Sequence, residues 1–177
     1  MSALRACKMP SRPKFESIIR SDRQSCTWQY RKEANGLGED MKKKTKKGFT
    51  ENIEKATLSN TDYRRVLYTG KYSQLVLMSL KPGEEIGAET HDDVDQFFRF
   101  EEGQGVVVID GAEHVVKDGS GVVVPSGARH NVINTSKKAD LKLYTIYSPP
   151  EHMDKVVRHT KAEAETEKEE FDGKTTE

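Results

Sequence analysis

The sequence predicts an all-β protein, folded as an antiparallel barrel or double-sheet jelly roll, and three observations indicate this class. From Arg64 onward the chain consists of short runs rich in β-branched and aromatic residues, separated by turn residues. The segments between the runs are too short to hold crossover helices, which excludes a parallel sheet. Asp110-Gly111 stands between two of the runs and predicts a tight hairpin turn.

Eight strands are predicted in this part of the chain, each as one short apolar run. Their order along the sequence is RRVLYT (64–69), SQLVLMSL (73–80), DQFFRFEE (95–102), QGVVVID (104–110), EHVVKD (113–118), GVVVP (121–125), HNVIN (130–134) and LKLYTIYS (141–148).

The flanking segments differ from this barrel region in charge and pattern. Residues 1–50 carry thirteen Lys and Arg against five Asp and Glu, and residues 1–40 show no sustained period. Residues 1–50 therefore predict a basic, disordered extension. Met41, followed by a lysine cluster, has the features of a natural start, and an organelle-targeting peptide in residues 1–14 is the competing interpretation. Residues 51–152 predict the barrel domain. Residues 153–177 predict a charged, solvated tail with one short helix around Lys161–Glu170.

Composition argues against several partner classes. The basic extension lacks regularly interleaved aromatic residues and any nucleic-acid recognition motif, so we expect no nucleic-acid binding. No apolar run has the roughly 18 residues that a membrane helix needs, so we expect a soluble protein without membrane contact. Both cysteines, Cys7 and Cys26, precede the strands, so we expect no disulfide to cross-link the barrel. This cysteine usage is typical of a protein in the reducing cytoplasm.

Side chains two apart on a strand point to the same face, which gathers the polar residues of this region. Glu89 and His91 share a face, Gln96 shares the inner face of its strand with Phe98 and Phe100, and His130 begins another strand after a Pro-Gly turn. Two imidazoles, one carboxylate and one amide thus converge inside the barrel. Neutral histidines with a carboxylate suit a divalent transition metal, namely manganese, iron, zinc, nickel or copper. The weakest donor of the set is Gln96.

Two motifs extend this pattern. The first motif has the spacing G-x5-E-T-H-x4-Q-x6-G and runs from Gly83 to Gly103. The second has the spacing G-x5-P-x-G-x2-H-x3-N and runs from Gly119 to Asn134. In this frame the sequence resembles the cupin superfamily over about Asn52 to His152, and more narrowly the small single-domain bacterial cupins labelled mannose-6-phosphate-isomerase-like.

The resemblance implies a cupin (RmlC-like) barrel whose four metal ligands are Glu89, His91, Gln96 and His130. The chain departs from the family pattern at Glu89, where a histidine is usual, and at Gln96, where a glutamate is usual. It also implies a homodimer, because cupins commonly pair through their sheets. Cupins include isomerases, dioxygenases, decarboxylases, lyases and binding modules, so the fold alone does not choose a reaction.

We therefore expect a metal-dependent cupin that acts on a small polar metabolite, a sugar derivative or an organic acid, by isomerase-like or oxygenase-like chemistry. Glu89 and Tyr147 are the catalytic candidates, as a proton carrier and a hydroxyl donor. The alternative is a small-molecule-binding module without turnover. The other histidines are assigned structural or solvent-exposed positions: His114 on the outer hairpin, and His152 and His159 in the solvated tail.

Overall fold

The computed structural model describes residues 45–167 and 170–177. The basic extension and the start proposed at Met41 therefore lie almost entirely outside the described residues. Two short helices and nine strands make up the described chain: α1 (Ile53–Ser59), β1 (Arg64–Thr69), β2 (Gln74–Leu80), β3 (Asp95–Glu102), β4 (Gln104–Ile109), β5 (Ala112–Lys117), β6 (Gly121–Val124), β7 (His130–Asn134), β8 (Leu141–Ser148), β9 (Val157–Arg158) and α2 (Lys161–Thr166).

The strands form two antiparallel sheets, which confirms the predicted fold class. The larger sheet has the order β6-β3-β8-β2-β1-β9, and the smaller has the order β5-β4-β7. All eight predicted strands are present within a residue of their expected bounds. Asp110 and Gly111 both have positive φ, at 46° and 83°, and join the paired ends Ile109 and Ala112 as the expected hairpin turn.

The core lies between the two sheets, because both contribute side chains to one apolar cluster. Phe98 and Phe100 of β3 enter it from the larger sheet, and Val107 and Val132 enter it from the smaller. The predicted alternation along β3 is confirmed, since Gln96 is 1% exposed and both phenylalanines are fully buried, while Phe97 and Arg99 are half-buried.

The residues after His152 make backbone contacts that their charge pattern does not predict. β9 pairs with the start of β1, and α2 covers part of the predicted helical stretch. Farther along, Thr176 N–H donates to Thr69 O at 2.9 Å, and Thr69 N–H donates to Thr176 Oγ1 at 2.9 Å. These bonds satisfy backbone groups of β1 at Thr69, beyond the two residues that β9 covers. Backbone bonds of this kind need no apolar side chains.

Within residues 45–167 and 170–177, no helix has the length and apolar content needed to cross a membrane.

Candidate functional site

The candidate site begins where the segment before β3 runs beside the start of β7. Glu89 N–H donates to His130 O, and His130 N–H donates to Glu89 O, each at 2.9 Å. Gly87 lies two residues earlier at φ 106° and donates its N–H to Asn131 Oδ1 at 3.0 Å. This pairing sets the side chains of Glu89 and His130 next to each other, with His91 on the same side of the segment.

Three of the four sequence-predicted ligands meet in space. One donor atom each from Glu89, His91 and His130 lies within 4.8 Å of the others. Glu89 Oε1 is 3.4 Å from Nε2 of His91 and 3.4 Å from Nε2 of His130. His130 is buried, whereas Glu89 and His91 are half-buried, so the centre lies near the mouth of the barrel with one side toward solvent.

Gln96, the fourth predicted ligand, reaches the same centre through His130. Its Oε1 lies 2.9 Å from His130 Nε2, and its amide Nε2 donates to Thr145 Oγ1 at 3.1 Å. Both the amide and Thr145 are fully buried in the larger sheet. The Thr145 contact therefore holds the amide with its oxygen toward the centre.

His130 is oriented by its own strand. Its Nδ1 lies 3.1 Å from Ala128 O, and because a carbonyl only accepts, Nδ1 carries the proton in that contact. The other ring nitrogen, Nε2, is then left to face the oxygens of Gln96 and Glu89. Nε2 and the two oxygen atoms that face it are all electron-rich, and a metal ion between them would stabilise this arrangement.

Glu151 borders the candidate site, and the sequence analysis did not find it. Its Oε1 lies 3.4 Å from Nδ1 of His91, on the ring atom opposite the one that faces Glu89. The Glu151 contact, and then the Glu89 contact, raise the pKa of His91 to about 10. A metal ligand that holds its outer N–H on a carboxylate is a common arrangement, because the carboxylate fixes the ring and increases its basicity. No local pattern signals Glu151, which is 60 residues away along the chain.

The carboxylate of Glu89 is held in its ionised form. Burial pushes its pKa upward, but the close contacts and charges of His130 and His91 outweigh burial and lower the pKa to about 2. A charged carboxylate is the form that binds a metal ion.

An unpartnered nitrogen of His91 further supports the fit of this donor set to a divalent ion. Nε2 of His91 is buried without a hydrogen-bond partner among the described residues, and its contact with Glu89 at 3.4 Å does not meet hydrogen-bond geometry. Buried polar atoms are almost always partnered, so this nitrogen has a ligating position open. Metal binding there would displace the proton of His91, as metal binding to histidine generally does.

Tyr147, the second catalytic candidate, borders the centre. Its ring is 2% exposed and lies edge-on to His91, with 6.0 Å between ring centroids. Burial, and then the charge of Glu89, raise the pKa of its hydroxyl, so the phenol remains a proton donor at neutral pH. The buried ring of Phe98 also lies near the centre, with 6.1 Å between its centroid and that of His130.

The remaining histidines follow the sequence analysis in part. His114 is exposed on β5 as expected. His159 is exposed too, and its Nδ1 lies 2.7 Å from Asp62 Oδ1. The expectation for His152 is wrong, because this residue is only 6% exposed. The side chain of Gln74 accepts a hydrogen bond from His152 N–H at 2.9 Å and donates one to His152 O at 2.6 Å. These two bonds hold His152 in its buried position.

Comparison with known proteins agrees with this architecture. The family model of the cupin domain (Cupin_2) matches residues 76–147. The YrkC protein of Bacillus subtilis (strain 168) is 47% identical over 124 residues, which cover 67% of this chain and 66% of that protein, just under two thirds of its length. The L612 protein of Acanthamoeba polyphaga mimivirus is 45% identical over 107 residues, covering 59% of this chain and 67% of that protein.

A solved structure matches as well. The crystal structure of BH2720 from Bacillus halodurans superposes with a TM-score of 0.66 at 42% identity, covering 67% of this chain and 94% of that one. Identity of this level over nearly a whole chain, together with the matching domain model, shows that the chain belongs to the cupin superfamily.

Proposed function

We propose that this protein is a metal-dependent cupin that binds one divalent transition ion at Glu89, His91 and His130 and acts on a small polar metabolite. The observation that carries the proposal is the meeting of three donor atoms, one carboxylate oxygen and two imidazole nitrogens, within 4.8 Å of one another. This donor set is the one used by non-haem iron sites and suits zinc, manganese, nickel and copper as well.

Each of the two imidazole donors has a support that holds it toward the centre. Ala128 O holds the outer nitrogen of His130, and Glu151 holds the outer nitrogen of His91. Gln96 is the weaker member, because an amide oxygen carries no charge. Its proposed role is that of an outer ligand, which leaves a position for a small molecule.

The charge at the centre sets the class of ligand. A divalent ion beside one ligating carboxylate keeps a net positive charge, which favours an anionic or hydroxyl-rich molecule. When bound, the ion supplies Lewis acidity that polarises a carbonyl or hydroxyl oxygen. Tyr147, whose ring lies beside that of His91, is the proposed hydrogen-bond donor to this molecule, and Phe98, whose ring lies beside that of His130, is the proposed apolar wall. An organic acid or a sugar derivative meets these requirements.

Two outcomes of binding follow from the same site. In an isomerase-like or oxygenase-like enzyme, Glu89 is the carboxylate nearest the reacting atoms and would hold or pass a proton. In a binding module without turnover, the same groups hold the molecule and release it unchanged. The second candidate is favoured by one observation: the carboxylate nearest to the centre is itself one of the proposed ligands.

Elemental analysis of the purified protein tests the metal. We expect about one transition ion per chain, lost in His130→Ala and only weakened in Gln96→Ala. His114→Ala is the matched control, because it removes an exposed imidazole from the same barrel. Stoichiometric metal in a His91→Ala/His130→Ala double variant would refute the site.

Thermal-shift titration of sugar phosphates, uronates and keto acids separates the enzyme from the binding module. A ligand that raises the melting temperature more in the metal-loaded protein than in the metal-free protein supports metal-assisted recognition. Product formation from that ligand by the loaded protein then indicates an enzyme. Equal shifts with and without metal would contradict a role for the ion.

A further inference from the structure

A second group of buried polar atoms lies beside the candidate metal centre and has no partner within residues 45–167 and 170–177. Both ring nitrogens of His152 and Nε of Arg64 are buried without a hydrogen bond. His152 is 6% exposed, and Arg64 is half-buried. Such atoms are unusual, because buried polar atoms are nearly always satisfied and each unsatisfied one costs about 1–3 kcal/mol.

Arg64 belongs to the inside of the barrel. It lies opposite Met78 in the β1–β2 register, and side chains of directly opposed residues share a face of the sheet. Met78 is fully buried in the core, so Arg64 begins on the same inner face. In the described part of the chain no carboxylate lies within ion-pair distance of its guanidinium, whose ring contact is Tyr63 at 5.9 Å.

His152 is a neutral imidazole within electrostatic range of this cation. Burial, and then the charge of Arg64, lower its pKa to about 3. A neutral imidazole has one N–H donor and one acceptor nitrogen. Together with the guanidinium, the pair therefore offers several N–H donors and a positive charge, and neither side chain forms an ion pair with a carboxylate of the described residues.

Tyr147 connects this pair to the metal centre. Its ring contacts His152 at 5.0 Å and His91 at 6.0 Å between centroids. The two histidines thus lie within one aromatic ring of each other, and Glu89 is close enough to raise the pKa of His152.

We propose that Arg64 and His152 form a carboxylate-binding subsite that holds the acidic end of the small molecule while its other end lies at the Glu89–His91–His130 centre. A planar carboxylate matches the fork of a guanidinium and accepts a further bond from an imidazole N–H. This inference deepens the proposed function and rests on it for the second contact, because it names an organic acid as the ligand class. The carboxylate contact itself needs no metal.

The test is a titration of the full-length protein with succinate, followed by two-dimensional NMR of backbone amides and of arginine Nε–H groups. Succinamide, which has the same length without charge, is the control ligand. The variants are Arg64→Gln and His152→Phe, and Arg99→Gln is the matched control because it removes a guanidinium that lies on the outer face of β3. Metal content is measured on every sample.

We expect succinate to shift the Nε–H signal of Arg64, with a Kd raised roughly tenfold or more in Arg64→Gln and unchanged in Arg99→Gln. His152→Phe keeps an aromatic ring in the core and should weaken binding while the protein stays folded. Equal binding of succinamide, or succinate binding that survives both substitutions, overturns the subsite. If the protein holds no metal but succinate binding still depends on Arg64, the subsite stands and the metal proposal fails. If the protein holds one metal ion per chain but succinate binding does not depend on Arg64, the metal proposal stands and the subsite fails.

Discussion

Replacing Gln74 should lower both the free energy of unfolding and the metal affinity of the site. It is 1% exposed on β2 and makes four hydrogen bonds. Its amide donates to Thr69 Oγ1 at 2.9 Å and to His152 O at 2.6 Å, and its oxygen accepts from the N–H groups of Glu151 at 3.3 Å and His152 at 2.9 Å. Gln74→Met keeps the length of the side chain and removes all four bonds.

The size of the effect follows from the groups left behind. His152 loses the partners of both its N–H and its C=O, and an unsatisfied buried group costs about 1–3 kcal/mol. Two such groups give a loss of about 3–4 kcal/mol, since part of the cost is relieved by relaxation. For an ordered region of this size we expect the melting temperature to fall by about 10 °C.

The assay is urea unfolding of the wild type and two variants, with calorimetry for the melting temperature. Gln104→Met is the matched control, because Gln104 is exposed at the start of β4 and its replacement should change the unfolding free energy by less than about 0.5 kcal/mol. Since Gln74 also anchors the backbone of Glu151, the variant should bind metal more weakly. A loss below about 1 kcal/mol, or one equal to that of the control, would refute this account of the 151–152 segment.

Two further predictions concern charged groups. Glu151→Gln should lower Zn²⁺ affinity roughly tenfold to a hundredfold, because His91 loses its charged support. Calorimetric titration measures the affinity, with Glu101→Gln on the outer face of β3 as the control variant. Unchanged affinity in Glu151→Gln would show that Glu151 does not support His91. Burial alone would raise the pKa of Asp62, but its bonds to His159 and Arg65 hold the pKa below 3.8. The stability that they supply is therefore full above about pH 4 and is lost as the pH falls through the lowered value. Asp62→Asn should cost about 1–3 kcal/mol at pH 7 and less at pH 3, measured by urea unfolding; a difference independent of pH would contradict the ion pairs.

The strands and three converging donors could be predicted from the sequence because both depend on local rules. Period-two alternation placed Gln96, Phe98 and Phe100 on one buried face of β3. The fixed spacing of glycine, proline and histidine around His130 placed its ring at the start of β7. These features need only the neighbouring residues to define them.

Other parts of the site could not be predicted, because they depend on contacts between distant segments. Glu151 reaches His91 across 60 residues, and His152 becomes buried only because Gln74, on another strand, binds its backbone. Arg64 looks like any strand-edge cation in the sequence, and only the β1–β2 register shows that it shares a face with Met78. Charge patterns likewise gave no sign that Thr176 would pair with Thr69, since backbone bonds leave no mark on composition.

Anomalous X-ray diffraction from crystals of the protein loaded with Zn²⁺, collected on both sides of the zinc absorption edge, tests the central claim most directly. The account predicts one strong anomalous peak per chain, within roughly 2.0–2.2 Å of Glu89 Oε1 and of the Nε2 atoms of His91 and His130. A well-occupied peak at exposed His114 or His159, with none between those three side chains, would contradict it.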